Sequence, residues 1–163
     1  MLKYLGASLI ILSSSMYGIK KSEQLRKRCE NLALIKNALL LLQSEISYKS
    51  GDIKSVLASV GKNQNLPLFI IAAQNIESSL SEAFSHALGI CDMSLVGTDK
   101  EIILELAKNL GSLDSSSQIK MISRTASELS ARQESANADY AKYGKLYRSA
   151  GLLTGLLFSI ILL

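Results

Sequence analysis

The feature that most constrains this sequence is an uncharged, apolar stretch at its C-terminal end, residues 149–163 (SAGLLTGLLFSIILL). As a helix, fifteen residues rise about 22 Å, less than the roughly 30 Å hydrocarbon core of a bilayer. Tyr143 and Tyr147 lie in the preceding turn, and tyrosine suits the headgroup region. Lys145 and Arg148 beside them can extend their charges toward water. We therefore expect residues 149–163 to form a membrane anchor that recruits the turn before it.

A second uncharged stretch covers residues 5–19 (LGASLIILSSSMYGI) and follows Lys3. A larger group of basic residues, the basic collar, comes after it: Lys20, Lys21, Arg26, Lys27 and Arg28. In a cleavable signal peptide the positive charge dominates before the apolar core, whereas here it dominates after the core. Basic residues collect on the cytoplasmic side of membrane segments. We therefore predict an N-terminal membrane helix over residues 1–19, a cytoplasmic domain over residues 20–148 and the anchor over residues 149–163.

Small residues recur four positions apart in both apolar stretches. Gly151 and Gly155 have the GxxxG spacing that lets two helix backbones approach closely in lipid. Ser14 and Gly18 give the first stretch a similar edge. We predict that the anchor packs through these residues against a second helix, which is either residues 5–19 of the same chain or a helix of a partner.

The middle portion, residues 20–148, is long enough for one domain. It contains 17 of the 18 basic residues and all 14 acidic residues, so its net charge is +3. The two signs are interspersed, which is typical of a solvated helical surface and does not indicate a nucleic-acid-binding stripe. Cys29 and Cys91 have no metal-like spacing, and we expect two reduced thiols.

Helical periodicity runs through this middle portion, without any long strand-like alternation. One buried helix face is predicted from the apolar residues at positions 25, 32, 35, 39, 42 and 46. Further helices are predicted to begin at Asp52, Pro67, Ser79 with Glu82, Thr98 with Glu101, and Asp114 or Ser115 with Gln118. Glycines at positions 51, 61, 89, 97 and 111 fall at the expected boundaries. We therefore predict an all-α protein, a compact bundle of about six helices flanked by N- and C-terminal transmembrane helices.

Catalytic chemistry has little support in the sequence. There is no GxxxxGK[ST] loop to hold a nucleotide, and His86 has no second histidine or cysteine at ligand spacing. We expect His86 to be an exposed or half-buried helix residue, and we expect no catalytic, cofactor or metal site and no enzyme activity. Leucines 39 to 42 are predicted to be core on two helix faces. Glu45 and Tyr48 can form a partner-binding edge, although the favoured alternative is structural, with Tyr48 packed beneath the next helix.

Several features, in order along the whole chain, resemble the stage III sporulation protein AB family. They are the opening MLKYLGASLII, the segment Glu45-Ile46-Ser47-Tyr48, Leu110-Gly111 followed by Asp114 and Gln118, and the closing GLLTGLLFSIILL. The chain departs from the family pattern because it has no tryptophan in the segment around Phe84.

This resemblance implies a helical domain similar to the cytoplasmic domains of the inner-membrane platform protein of type II secretion and type IV pilus systems. It implies a non-enzymatic platform in the channel between mother cell and forespore. The chain would lie in the outer forespore membrane and face the mother-cell cytoplasm. The implied partners are the bilayer, other channel membrane proteins and a cytoplasmic ATPase, without nucleic acid or a small-molecule substrate.

There are two alternatives to the platform. A membrane-bound sensor or signal transducer would need an extracytoplasmic ligand-binding domain or long signalling helices, and neither is visible. An exported protein held by its C-terminal anchor would need signal cleavage near Ser15. The basic collar is likewise open to two interpretations: a solvated ring beside an anionic leaflet, or a surface that also receives an acidic surface of the ATPase.

Overall fold

The computed structural model describes residues 2–48, 52–76, 79–110 and 114–162. These residues form six α-helices and no strand: α1 (Leu2–Tyr48), α2 (Ile53–Asn63), α3 (Pro67–Gln74), α4 (Leu80–Ile90), α5 (Gly97–Asn109) and α6 (Ser115–Leu162). The all-α class is confirmed. Two compact units divide the chain, a terminal unit of Met1–Cys29 with Glu134–Leu163 and a central unit of Glu30–Gln133.

The core of the central unit is built on the apolar faces of α1 and α6. Five α1 residues are at most 1% exposed: Leu32, Ile35, Ala38, Leu39 and Leu42. Three apolar α6 residues are buried with them in this unit: Ile122, Ala126 and Leu129. These residues confirm the helical periodicity. Leu40, however, is 49% exposed, so the prediction that leucines 39 to 42 are core on two faces is wrong, because neighbouring helix positions point about 100° apart.

Helices α3 and α4 meet through an aromatic pair. Pro67 is the first residue of α3, as predicted, and Phe69, two residues on, is 1% exposed. The rings of Phe69 and Phe84 contact each other edge to face, with centroids 5.5 Å apart and planes at 85°. This geometry aligns the positive ring edge with the negative ring face. Phe69 and Phe84 therefore pack against each other in this part of the core, and the segment around Phe84 has no tryptophan.

Gly61 does not end α2, which continues to Asn63. A Cβ atom at Gly61 would lie 2.9 Å from the backbone nitrogen of Ile70 and 3.1 Å from Cβ of Phe69. Glycine is therefore needed here for the close approach of α3 to α2. Gly89 also lies within its helix, and a Cβ atom there would meet nothing within 4 Å. Gly51 and Gly111 lie outside the described residues.

The helix starts follow the predicted caps in part. The backbone N–H of Glu82 donates to the Ser79 hydroxyl at 3.1 Å, which confirms the start of α4. Helix α5 begins at Gly97 instead of after Thr98, because the Asp99 carboxylate accepts from the N–H of Val96 at 3.2 Å. The predicted pairing of Thr98 with Glu101 is therefore wrong. Asp52 holds the N-cap position of α2, but its side chain makes no cap hydrogen bond.

Asp114 caps α6, as predicted. Its carboxylate accepts from the N–H of Ser117 at 3.2 Å and from the hydroxyl of Ser116. Hydrogen bonds from Ser116 and Ser117 lower the pKa of Asp114 from 3.8 to about 2. A carboxyl group whose pKa is lower in the folded state stabilises that state above its unfolded pKa, and this contribution is lost as the pH falls through the folded pKa.

We expect Asp114→Ala to lower the thermal midpoint of the helical circular dichroism signal at pH 7, because the first turn of α6 loses its cap. The variant should also lose the part of the wild-type pH dependence that falls between about pH 4 and pH 2. Asp52→Ala is the matched control, since Asp52 holds an N-cap position without a side-chain cap bond. Identical pH profiles for both variants and the wild type would refute this role of Asp114.

Candidate functional site at the crossing of α1 and α6

The terminal unit brings together the four small residues predicted to pack helices against each other, Ser14, Gly18, Gly151 and Gly155. A Cβ atom at Gly18 would overlap the carbonyl oxygen of Tyr147 and lie 3.1 Å from Cα of Gly151. A Cβ atom at Gly151 would lie 2.7 Å from the carbonyl oxygen of Ser14. Both clashes are with backbone atoms, which cannot rotate away. The two helices therefore cross at a separation that only glycine allows.

Further contacts extend this crossing toward the ends of both helices. A Cβ atom at Gly155 would lie 2.9 Å from Cα of Ile11. The Ser14 hydroxyl donates to the carbonyl oxygen of Gly151 at 2.6 Å, so its polar group is satisfied inside the crossing. The contacts pair Gly18 with Tyr147 and Gly151, and Ile11 with Gly155. Residue numbers therefore fall along α1 as they rise along α6, so the two helices are antiparallel. Of the two predicted packing partners, the structure places residues 5–19 of the same chain against the anchor.

Large apolar side chains cover the outward faces of the crossing. They are between 40% and 74% exposed: Leu9, Leu12, Met16, Tyr17, Ile19, Leu152, Leu153, Leu156, Leu157, Phe158, Ile160 and Ile161. A contiguous exposed apolar surface of this kind marks contact with a partner or a membrane.

The sequence predicts transmembrane helices over residues 1–19 and 149–163, and the fold lends this part of the prediction no support. Among the described residues, no helix holds a stretch both long enough and apolar enough to cross a bilayer. The uncharged part of α6 that the structure describes, residues 149–162, rises only about 21 Å.

A polar cluster lies one turn from the crossing. The Nε group of Arg148 donates to the Ser22 hydroxyl at 2.9 Å, and its Nη2 group donates to the Tyr140 hydroxyl at 3.3 Å. Ser22 is only 2% exposed. A Cβ atom at Gly144 would lie 2.9 Å from the ring of Tyr140, so glycine leaves room for that ring. Sequence reasoning missed Ser22, Tyr140 and Gly144, although the four-residue spacing of Tyr140, Gly144 and Arg148 places them on one helix face.

The residues of the basic collar differ in how exposed their side chains are. Lys20, Arg26 and Lys27 are exposed, and Lys21 is half-buried. The side chain of Arg28 is only 11% exposed, and its Nη1 atom lies 3.8 Å from a carboxylate oxygen of Asp139 on α6. Arg28 therefore links α1 to α6 within the terminal unit.

Glu45 and Tyr48 lie near the end of α1, in the central unit. Tyr48 is 88% exposed, so the alternative in which its ring packs beneath the next helix is wrong. Glu45 is half-buried. The partner-binding edge formed by these two residues stays a prediction.

The groups that carry reactive chemistry elsewhere in proteins are scattered in this chain. His86 is an exposed residue of α4, as predicted. Burial raises the pKa of the Cys91 thiol, and the Cys29 thiol donates to the carbonyl oxygen of Leu25 at 3.2 Å. Within the described ranges, no group of three His, Cys, Asp or Glu side chains is placed to hold a metal ion.

Comparison with known proteins gives one consistent family. The sequence model of stage III sporulation protein AB matches residues 3–163. Stage III sporulation protein AB of Bacillus subtilis (strain 168) is 27% identical over 171 aligned positions that cover all of both chains. No solved structure matches the chain. The family match, which spans nearly the whole sequence, supports a role in sporulation, and the chain belongs to the stage III sporulation protein AB family.

Proposed function

We propose that this protein is a non-enzymatic membrane platform subunit of the secretion-like channel between mother cell and forespore, and that it docks a cytoplasmic ATPase. The observation that carries this proposal is the family match over residues 3–163. The sequence contains no GxxxxGK[ST] loop, so ATP-driven work would come from another chain. A platform of this kind acts by holding partners in position and needs no catalytic residue.

In this function the terminal unit inserts into the outer forespore membrane. Its outward apolar side chains and its glycine-mediated crossing support this placement, because close backbone packing is what holds helices together in lipid. The apolar stretches are short for a bilayer, and local thinning together with extension of the Lys145 side chain toward water would accommodate them.

The same function puts residues 20–148 in the mother-cell cytoplasm. The exposed members of the basic collar, Lys20, Arg26 and Lys27, would then lie beside the anionic leaflet. Each basic residue near such a surface contributes about 1 kcal/mol of attraction. Other membrane proteins of the channel would contact the apolar faces of the terminal unit.

The ATPase would dock on the part of α1 that belongs to the central unit. Three large apolar side chains are exposed there: Leu34 at 37%, Leu40 at 49% and Tyr48 at 88%. Tyrosine is enriched among the anchor residues of protein interfaces, because it combines a large apolar ring with a hydroxyl group. Together with the half-buried Glu45, these residues form the candidate docking face.

Site-specific photo-crosslinking in sporulating cells tests this function. A photoreactive residue at Tyr48 should yield an adduct with a P-loop ATPase, which also requires that the central unit face the cytoplasm. The matched control is the same photoreactive residue at Ser85, an exposed position on α4. If position 48 captures only the proteins that position 85 captures, or captures extracytoplasmic proteins, the proposed docking is wrong.

A further inference from the structure

We propose that a groove between α1 and α6 in the terminal unit binds the phosphate of an anionic phospholipid headgroup. The groove has a volume of about 340 Å³ and is lined by six residues: Ile19, Ser22, Glu23, Arg26, Tyr140 and Arg148. This inference rests on the proposed function, because it takes the terminal unit to lie in a membrane.

Arg148 is the residue on which the site depends. Its guanidinium group has five N–H donors, and the hydroxyl groups of Ser22 and Tyr140 accept from two of them. Three donors are left for a ligand, in the planar arrangement that matches two phosphate oxygens. Because the buried Ser22 hydroxyl fixes the orientation of this guanidinium, little side-chain freedom is lost when a phosphate binds.

The charges that line the groove favour a singly charged anion. Two arginines, Arg26 and Arg148, and one glutamate, Glu23, line the groove. Glu23 lies 4.0 Å from Arg26 and 3.7 Å from Lys27, in pairs whose side chains are about half exposed. Exposed pairs of this kind contribute little to stability, so an entering phosphate can compete with Glu23 for Arg26. The phosphate diester of phosphatidylglycerol carries one negative charge, which suits this balance.

Apolar side chains continue from the groove and distinguish a lipid from a free phosphate. Ile19 lines the groove, and Met16 and Leu12 follow it on the same face of α1. These three side chains are 54%, 74% and 66% exposed, respectively. An acyl chain of a lipid can lie along them while its phosphate contacts Arg148. Inorganic phosphate would use only the polar end of this surface.

The test uses the full chain in a neutral detergent, with native mass spectrometry to measure binding. The probes are dihexanoyl-phosphatidylglycerol, dihexanoyl-phosphatidylcholine and inorganic phosphate. We expect phosphatidylglycerol to bind roughly tenfold more tightly than either other probe, because only it offers both an unopposed negative charge and acyl chains. Arg148→Gln should weaken phosphatidylglycerol binding by about tenfold, as should Arg148→Lys, which keeps the charge but not the planar fork.

Arg132→Gln is the matched control, since it removes the same charge from an exposed position of α6 in the central unit. It should change binding by less than about twofold, because charges that are far apart and exposed are screened. Equal losses in Arg148→Gln and Arg132→Gln, or full binding by Arg148→Lys, would overturn the site. Equal binding of inorganic phosphate would overturn its assignment to a lipid.

The inference and the proposed function can fail separately. If the wild-type protein is recovered from sporulating cells in the soluble fraction, the membrane platform is wrong and with it the lipid assignment. If the protein is recovered in membranes but shows no preference for phosphatidylglycerol, the platform stands and the headgroup site alone is wrong.

Discussion

Replacing Gly151 and Gly155 together by isoleucine should abolish the packing of α6 on α1 in the terminal unit. Cβ atoms at these positions would lie 2.7 Å from the carbonyl oxygen of Ser14 and 2.9 Å from Cα of Ile11, and isoleucine adds further atoms beyond Cβ. Both neighbours are backbone atoms, so the helices must separate to make room. The hydroxyl of Ser14 would then lose its 2.6 Å hydrogen bond to residue 151.

The readouts of this double variant are assembly and sporulation. Isoleucine keeps the stretch apolar, so we expect membrane fractionation to be unchanged while co-purification with channel partners and spore formation are lost. Lipid provides no hydrophobic drive for helices to associate, and packing must supply it. The control is Leu152→Ile with Leu156→Ile, which has the same spacing at exposed positions. If the glycine variant retains its partners and sporulates normally, the crossing is not needed for assembly.

Local sequence patterns predict much of this fold. The apolar face of α1 and the caps at Ser79 and Asp114 depend on residues within one or two turns of each other, so the sequence contains the whole interaction. Helix α5 is harder to predict, because Val96 has no side-chain oxygen and therefore gives no N-cap signal in the sequence, unlike Thr98. The bond from the Val96 N–H to the buried Asp99 decides for the earlier start.

Contacts between segments far apart in the chain are less accessible to sequence reasoning. The small-residue spacing predicts that α6 packs on another helix, but the sequence leaves open which helix that is. The link of Arg28 to Asp139 joins residues that no local pattern connects, and the same holds for Arg148 and Ser22. Arg148 in particular has the pattern of a residue that extends toward water, whereas the structure places its guanidinium between two hydroxyl groups.

The role of a glycine in a helical pattern is also hard to predict, because it can depend on a contact with a segment far away in the chain. Gly61 permits a direct test. A glycine late in a helical pattern predicts either a helix end or a close approach, and only the position of α3 distinguishes these. We expect Gly61→Ala to lower the free energy of unfolding by about 1–3 kcal/mol, the usual cost of forcing extra atoms into a packed core. The new methyl group would lie 2.9 Å from the Ile70 backbone nitrogen, so relief requires α2 and α3 to move apart.

Gly89→Ala should change stability in the opposite direction. Gly89 lies in α4, is exposed and has nothing within 4 Å of the added methyl group, so only the helix propensity changes. Alanine is favoured over glycine in a helix by about 0.5–1 kcal/mol. Urea unfolding of the full chain in neutral detergent, followed by circular dichroism, gives both values. If Gly61→Ala raises the midpoint, as Gly89→Ala is expected to do, helix propensity alone governs both positions, and the close packing of α3 on α2 does not account for Gly61.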